Sequence, residues 1–493
     1  MKIFGLDITR SKDGAAKVTD RRVSPFAFAR GFLAASTGRL FQDWITGKTD
    51  INDDLYSNLQ KMRTRGRDMA KNNSYFKRWL SMRERNIVGS QGIQLQMKVS
   101  NPNGSQDNYA NNLIEGRFKD WGKRETCCVD GKRSWLQVQN EYTRLIATDG
   151  EVFIHKVKNF PNKYKFALEF IDANRCDTNY TTTMRNGNRV INGIEIDKWG
   201  KPIAYYFYTG KTALSNDWGG ERIRITADSM IHGFKEEFAG QTRGIPMGSA
   251  AMAKIHMLDK MNEAYLVASR AGAAKMGFYQ VQQGLDYAPD VVESAQLVQE
   301  VEPGKIEILP EGIEFKSYDP TFPANEHASF TKTMLREIAG ALGVSYNTLA
   351  NDLEGVSYSS LRAGSLDERD GWRTEQSEMI GQLMNPVFSD WLDMFLMTPM
   401  SGSLPYSKYE KFNQPTWLPR SWPWVDPLKD MQAKILMIEN LLESPAKVAA
   451  ENGWDYDDLM LSIAKAKEIQ EQNKLTVSKE KTGAPVQDEN DKN

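Results

Sequence analysis

The residues able to make or break bonds are few in this chain, and their spacing supports no reaction. His155, His232, His256 and His327 are widely separated and carry no cysteine or carboxylate at a metal-ligand interval. Cys127 and Cys128 are adjacent and Cys176 stands alone, an odd set without a disulfide framework, so a reduced compartment is expected. Asp457 and Asp458 read as the charged start of a helix. Phosphate-cradling and nucleophile motifs such as G-x-x-x-x-G-K-[ST], G-x-G-x-x-G after a strand, H-E-x-x-H and G-x-S-x-G are missing. The chain therefore reads as a non-enzyme, with no cofactor and no metal site expected.

What chemistry remains is electrostatic. The polar run Asn351, Asp352, Leu353, Glu354 sits in a stretch, Val344 to Tyr358, that has no hydrophobic period. Before it, Phe330, Met334, Ile338 and Leu342 recur at helical spacing up to Gly343, a helix stop, with Lys332 and Arg336 four apart on that helix. After it, Trp372, Met379, Leu383, Val387, Trp391 and Phe395 mark a helix of roughly 35 residues, bent at Pro386. A polar loop held between two such helices adds little to a core; it is suited to projecting into a space. A second charged feature lies at 61–85. There Lys61, Arg63, Arg65, Arg67, Lys71, Lys77, Arg78, Arg83 and Arg85 face only Asp68 and Glu84. Such a stretch is either a nucleic-acid contact or a helix face that is solvated or paired with acidic neighbours.

The 493 residues exceed one ordinary core, and Lys plus Arg (63) balance Asp plus Glu (64), so bulk charge points to no partner. No apolar run approaches the roughly 18 residues of a membrane span, and the first ten residues lack signal-peptide character. The 21 Met and 12 Trp suit large, irregular contact surfaces as well as a large core. Residues 1–50 read as a basic arm. From 89 to 228 the pattern is α+β with mainly antiparallel strands, among them segments starting at Gly92, Glu151, Lys165, Val190 and Lys201. Helices are expected at Asn108–Trp121 and Trp135–Asp149, and the turn Asp197–Gly200 has hairpin chemistry. A long Ala- and Gly-rich helix of about 30 residues, roughly 45 Å, follows from Gly244 to Met276. Next comes a small insert, 277–323, with strands in Glu302–Pro310 and Gly312–Ser317. Past Met397 a Pro/Trp-rich connection leads to helices at Leu428–Glu443 and Tyr456–Asn473, and the tail from Thr476 is expected to be disordered.

Several of these strings, in one order, resemble the portal proteins of tailed bacteriophages, most closely the lambda-type family. They are R-D-M-A-K-N-N at 67–73, I-D-A-N-R-C-D at 171–177, N-G-I-E-I-D-K-W-G-K-P-I-A-Y-Y at 192–206, L-R-E-I-A-G-A-L-G-V-S-Y at 335–346, S-Y-S-S-L-R-A-G at 357–364 and W-P-W-V-D-P-L-K-D at 422–430. The resemblance implies an α+β portal-type fold. Its parts would be an N-terminal arm (1–50), a wing (51–244 and, with a long helix, 359–417), two stem helices (245–276 and 325–343) and an α/β clip (277–324). A tunnel loop (344–358), a helical crown (418–475) and a tail (476–493) complete the plan.

It also implies a homo-oligomeric ring, typically of twelve copies, at one capsid vertex of the virion, assembled in the host cytoplasm. Double-stranded DNA would pass through its channel during packaging and ejection. The terminase large subunit, head–tail connector proteins and the major capsid and scaffold proteins would be partners, and no membrane is involved. On this plan Asn351, Asp352, Leu353 and Glu354 meet the genome, the two acids repelling phosphates. Lys332 and Arg336 line the stem channel or pair between subunits, and Lys305, Glu307 and Lys316 of the clip dock partners. Another head–tail adaptor or minor capsid protein is the alternative, although such proteins are usually shorter and lack the helix–insert–helix–loop order.

Overall fold

The computed structural model describes residues 2–3, 6–10, 16–19, 50–211, 218–273, 277–281, 313–317, 324–422, 427–451 and 456–472. Lys305, Glu307, the strand expected at Glu302–Pro310 and the tail from 476 lie outside them. The chain divides into two compact units, Met1–Asp50 and Ile51–Asn493. In the first, the stretch read as an arm carries a three-stranded antiparallel sheet of Lys2–Ile3, Leu6–Arg10 and Ala16–Thr19.

The second unit is mixed helix and sheet. Helices Asn108–Trp121 and Trp135–Asp149 form where the periodicity placed them. The second opens on a capping box, Ser134 with Gln137, and ends at Gly150 with φ 87°, the left-handed stop a helix end favours. All pairings between named strands are antiparallel. A five-stranded sheet runs Trp218–Thr226, Pro202–Lys211, Ile194–Ile196, Arg189–Ile191, Thr182–Thr183, and a three-stranded one runs Met230–Phe234, Glu151–Lys158, Phe166–Ile171. The Asp197–Gly200 turn joins two of these strands, with Asp197 Oδ1 accepting from the Trp199 and Lys201 amides at 2.8 and 2.9 Å. Strand Gln94–Met97 pairs instead with Pro415–Leu418, a partner far along the chain.

Between the sheets and the helices lies an aromatic core. Trp391 and Phe395, one turn apart, stack at 4.8 Å, and Phe118 meets Trp391 edge-on at 5.0 Å. Trp121, Phe388 and Trp417 close around them. A satellite cluster of Phe153, Tyr205, Phe207 and Cys176 backs the five-stranded sheet.

The long C-terminal helix spans Tyr358 to Leu396, in three parts. Tyr358–Met379 and Asn385–Leu396 are α-helical, and Ile380–Met384 between them is π-helical, with the Asn385 amide donating to Ile380 O five residues back. Pro386 cannot donate to a carbonyl four residues back, and the widened turn just before it absorbs that loss. The same widened turn presents Gln382 to strand Met230–Phe234. Its side chain accepts from the Phe234 amide (3.2 Å) and the Tyr142 hydroxyl (2.9 Å) and donates to Phe234 O (3.0 Å).

The basic stretch has a largely internal explanation. Arg63 and Arg243, 1% and 0% exposed, both grip the fully buried Glu151 carboxylate. Arg243 Nε reaches its two oxygens at 2.9 and 3.0 Å, and the Gly244 amide and His232 Nε2 donate to it at 3.0 and 2.9 Å. Burial alone would raise this carboxyl, but the Arg243 and Arg63 guanidiniums outweigh it and hold the group well below the usual carboxylate range. Arg67 pairs with Asp149 and Asp172, Arg83 with Glu375, and Arg78 hydrogen-bonds Thr348 O at 2.8 Å. Four of the nine cations thus bind helices Ile51–Asn72 and Ser74–Arg83 to the rest of the unit. Exposed cations remain at Lys61, Arg65, Lys71, Lys77 and Arg85.

Candidate functional site

Helix Ser249–Ala273 and helix Ala324–Ala341 pack antiparallel. Lys254 pairs with Glu337 near one end of the contact, and His327 stacks on Tyr265 at 4.0 Å near the other. Backbone pairing joins the strands of the intervening insert that are described, Gly277–Val281 and Ile313–Ser317, placing Lys316 opposite Phe278. Only the first half of the longer helix is seated in the core, through Ala251, Met252, Ile255 and Leu258. Met257, Leu266 and Val267 are exposed, as is Phe330 on the second helix.

The second helix ends where the sequence placed its stop. Gly343 takes φ 67°, and the Val344 amide returns to Ala339 O at 3.0 Å. The following stretch, read as aperiodic loop, instead folds first into a short helix, Tyr346–Ala350. Ser345 caps it, its hydroxyl oxygen accepting from the Thr348 amide at 3.4 Å, and Leu349 anchors it with no exposed surface. One turn of helix shows no periodicity in sequence, which explains the difference. Asn351 closes the turn in the left-handed region (φ 57°), and Arg78 Nη2 donates to its side-chain oxygen at 3.1 Å.

Asp352 is the centre of a compact charge cluster. Its Oδ2 accepts from the Tyr346 hydroxyl at 2.7 Å and lies 3.1 Å from Lys332 Nζ, while its Oδ1 accepts from the Glu354 amide at 3.0 Å. Lys332 and Arg336 both lie over the Tyr346 ring, each 5.6 Å from its centroid. The hydrogen bond from Tyr346 and the Glu354 amide, with Lys332 beside them, bring the Asp352 carboxyl down to about 2. Burial and the bond to Asp352 push the Tyr346 phenol up to about 12. So the structure brings Asn351, Asp352, Lys332 and Arg336 together around Tyr346, a residue that reading by charge and periodicity does not single out. Leu353, 64% exposed, and Glu354 are left outward, and Glu354 carries no ion pair among the described residues.

The arrangement contains no nucleophile beside a base, and no group of His, Cys, Asp or Glu among the described residues could hold a metal. No described helix is long and apolar enough to cross a membrane. What the site offers is a rigid turn whose tip shows one apolar side chain and one acid.

No catalytic grouping stands out among the described residues of this helix–insert–helix–turn–helix arrangement, and the comparisons give the family. Residues 37–376 match the family described as phage portal protein, lambda family. The probable portal protein of Halomonas phage phiHAP-1 is 35% identical over 445 residues, covering 88% of this chain and 86% of that protein. Portal protein B of Escherichia phage lambda is 22% identical, with 86% of each chain covered. Among solved structures, a chain from the neck of an empty gene transfer agent particle is 14% identical, with 85% of this chain and 99% of that one covered at a TM-score of 0.44. The chain belongs to the lambda family of phage portal proteins. It is a structural component of phage particles, and no catalytic family is indicated.

Proposed function

We propose that this chain forms a ring, of about twelve copies as the family resemblance implies, at one capsid vertex, and that duplex DNA passes through its channel in packaging and ejection. The helices at 245–276 and 325–343 are the stem, the insert at 277–324 the clip that docks the terminase large subunit and later the connector proteins, and 344–358 the tunnel loop. The wing and crown, 51–244, 359–417 and 418–475, meet capsid and scaffold proteins. Assembly takes place in the host cytoplasm and the ring ends in the virion. Exposed apolar side chains support a ring. Met257, Leu266 and Val267 on one helix, Ile435, Leu436 and Leu461 on helices Pro427–Glu439 and Tyr456–Gln472, and Leu441 and Leu442 in the turn that follows the first of these lack a cover among the described residues of one chain, as surfaces buried between subunits do.

The observation that carries the reading is the Tyr346 cluster. A duplex bears one charge per about 1.7 Å, and a strongly cationic lining would hold it in a salt-dependent clamp. Here the Lys332 charge is opposed by Asp352 inside the same chain, so Lys332 itself offers phosphates little free charge. The fixed turn leaves Leu353 and the single acid Glu354 at its tip, a surface that keeps a polyanion centred without gripping it. Purified protein should sediment near twelve times 55.9 kDa and show rings with a central hole by negative stain. A stable monomer in assembly-permissive buffer sinks the ring. Replacing Asp352 and Glu354 together with Lys should leave rings intact while hindering packaging or ejection, and unaltered phage yield from that variant would remove the loop from the channel.

A further inference from the structure

One exposed cation of the basic stretch, Arg85, does not stand alone. Among the described residues it has no carboxylate partner, its Nε donating to Ser81 O at 3.2 Å. Arg420 Nη1 donates to the Arg85 carbonyl and, at 3.3 Å, to Asn86 Oδ1. The Arg420 guanidinium lies 5.8 Å from the Trp422 ring and that of Arg373 5.9 Å from it, and the Trp422 indole is fixed by Asn86 Oδ1 at 3.1 Å. From behind, Gln376 Nε2 donates to Arg420 O at 3.1 Å. Arg420 is therefore held in place, yet no carboxylate among the described residues pairs with it. Burial first, then the nearby Arg85 and Arg369 charges, lower its hold on its proton. Of the acids close by, Asp370 is engaged by Arg373 at 2.8 Å and Glu84 by Arg144 at 3.1 Å. Arg85 and Arg420 both line an open groove of about 670 Å³, whose other polar walls include Ser90, Gln91, Asn140 and Ser421 and one acid, Glu84, whose carboxylate is the one that Arg144 engages.

We propose that the groove between the 89–92 turn and the 419–421 segment binds the phosphodiester backbone of DNA, with Arg85 and Arg420 each taking a phosphate. The choice of DNA as the source of phosphate rests on the portal reading above; the cationic groove does not. A guanidinium meets a phosphate with two parallel hydrogen bonds, and the neutral amides and hydroxyls around it can take further oxygens without sequence preference. The groove also falls within the size of ligand clefts. It is a site apart from the 344–358 turn, since it is lined by the end of the basic stretch and the segment before Trp422.

The test measures anisotropy of a fluorescein-labelled duplex on the assembled protein between 50 and 200 mM salt, with R85Q, R420Q, the double variant and K61Q. Each arginine variant should reduce the slope of log affinity against log salt by about 0.9, so that the affinity lost across that range shrinks about 3.5-fold per arginine. K61Q, at an exposed lysine outside the groove, should keep the wild-type slope. Arg85 is exposed, so R85Q reads the groove even where loss of Arg420 disturbs folding. Wild-type slopes in both single variants overturn the proposal. So does loss of binding to a glutamate-rich peptide while DNA slopes are kept, which assigns the groove to an acidic polypeptide. Ring images from the same samples test the portal reading separately: absence of rings sinks that reading, whereas full DNA slopes from intact rings of R85Q and R420Q sink only the groove.

Discussion

Glu151→Gln should be among the most damaging single changes in the protein, though it alters no volume. Among the described residues the carboxylate is the only acid contacting two guanidiniums that are themselves 1% and 0% exposed, and it also accepts from the Gly244 amide and His232. A glutamine there keeps one acceptor oxygen, but its amide must face donors, and Arg63 and Arg243 are left as buried charges without an opposing one. Breaking a buried pair in this way costs about 3–5 kcal/mol. At about 2 °C per kcal/mol for a unit of this size, the melting midpoint should fall by about 6–10 °C. Scanning fluorimetry at one fixed heating rate, with a proteolysis time course at 37 °C, reads the effect even where unfolding is irreversible. A surface control, Glu169→Gln, loses only the 3.0 Å contact to the part-exposed His155 and should lie within about 0.5 kcal/mol of wild type. The gap between wild type and Glu151→Gln should also depend on pH. The carboxyl lies lower in the folded chain than its ordinary 4.5, so its contribution is present above about that pH and is lost as pH falls through the folded value. A midpoint within 1 °C of wild type at pH 7 would refute the buried-charge account.

Three further outcomes follow from the geometry. A spectrophotometric titration of wild type minus Tyr346→Phe should show the missing phenol ionising at about 12; ionisation near 10 would mean that Tyr346 is not bonded to Asp352. Gly244→Ala would drive a methyl into the Gly150 carbonyl and the Phe234 side chain and should cost over about 2 kcal/mol, measured by urea midpoint. At Gly131, by contrast, φ is 63° with nothing near the added methyl, so only the backbone cost of about 1 kcal/mol is expected. Gln382→Leu removes three hydrogen bonds to Tyr142 and Phe234 and should destabilise by about 1–3 kcal/mol, with hydrogen exchange rising in strand Met230–Phe234; unchanged exchange there would deny the widened turn its anchoring role.

Elements with strong local signals were legible in the sequence. The helices at 108–121 and 135–149 announce themselves by periodicity, and the Asp197–Gly200 turn by its own side-chain chemistry. Pairings that depend on distant segments were not. Nothing near Gln94–Met97 names Pro415–Leu418 as its partner, and Arg63 looks like its neighbour Arg65, although one is buried against Glu151 and the other exposed. A helix with cations at 61, 63, 65, 67 and 71 turns about 100° per residue, so those side chains point to different faces and only tertiary contacts decide which stay free. The turn at 344–358 was legible as a place but not as chemistry. Asp352 and Glu354 look equivalent in sequence, yet Tyr346 and Lys332 take the first and leave the second.

That inequality bears on how a ring could let a polyanion slide. A lining built from free Asp and Glu would hold the duplex off but also repel itself when repeated around an axis, and would be screened within about 10 Å at 0.1 M salt. In the proposed ring, pairing Asp352 with Lys332 inside each chain lessens both problems, because that acid is neutralised without a neighbour and only Glu354 of the two is left unpaired among the described residues. With Arg336 resting on Tyr346, the four charges Lys332, Arg336, Asp352 and Glu354 sum to zero in each copy. Sliding past such a surface should therefore depend only weakly on salt, whereas Asp352→Asn, which frees the Lys332 charge in every copy, should make it steeply salt-dependent. Packaging rate against ionic strength in a reconstituted system separates the two: equal salt dependence for wild type and Asp352→Asn would show that the Lys332–Asp352 pair does not set the charge met by DNA.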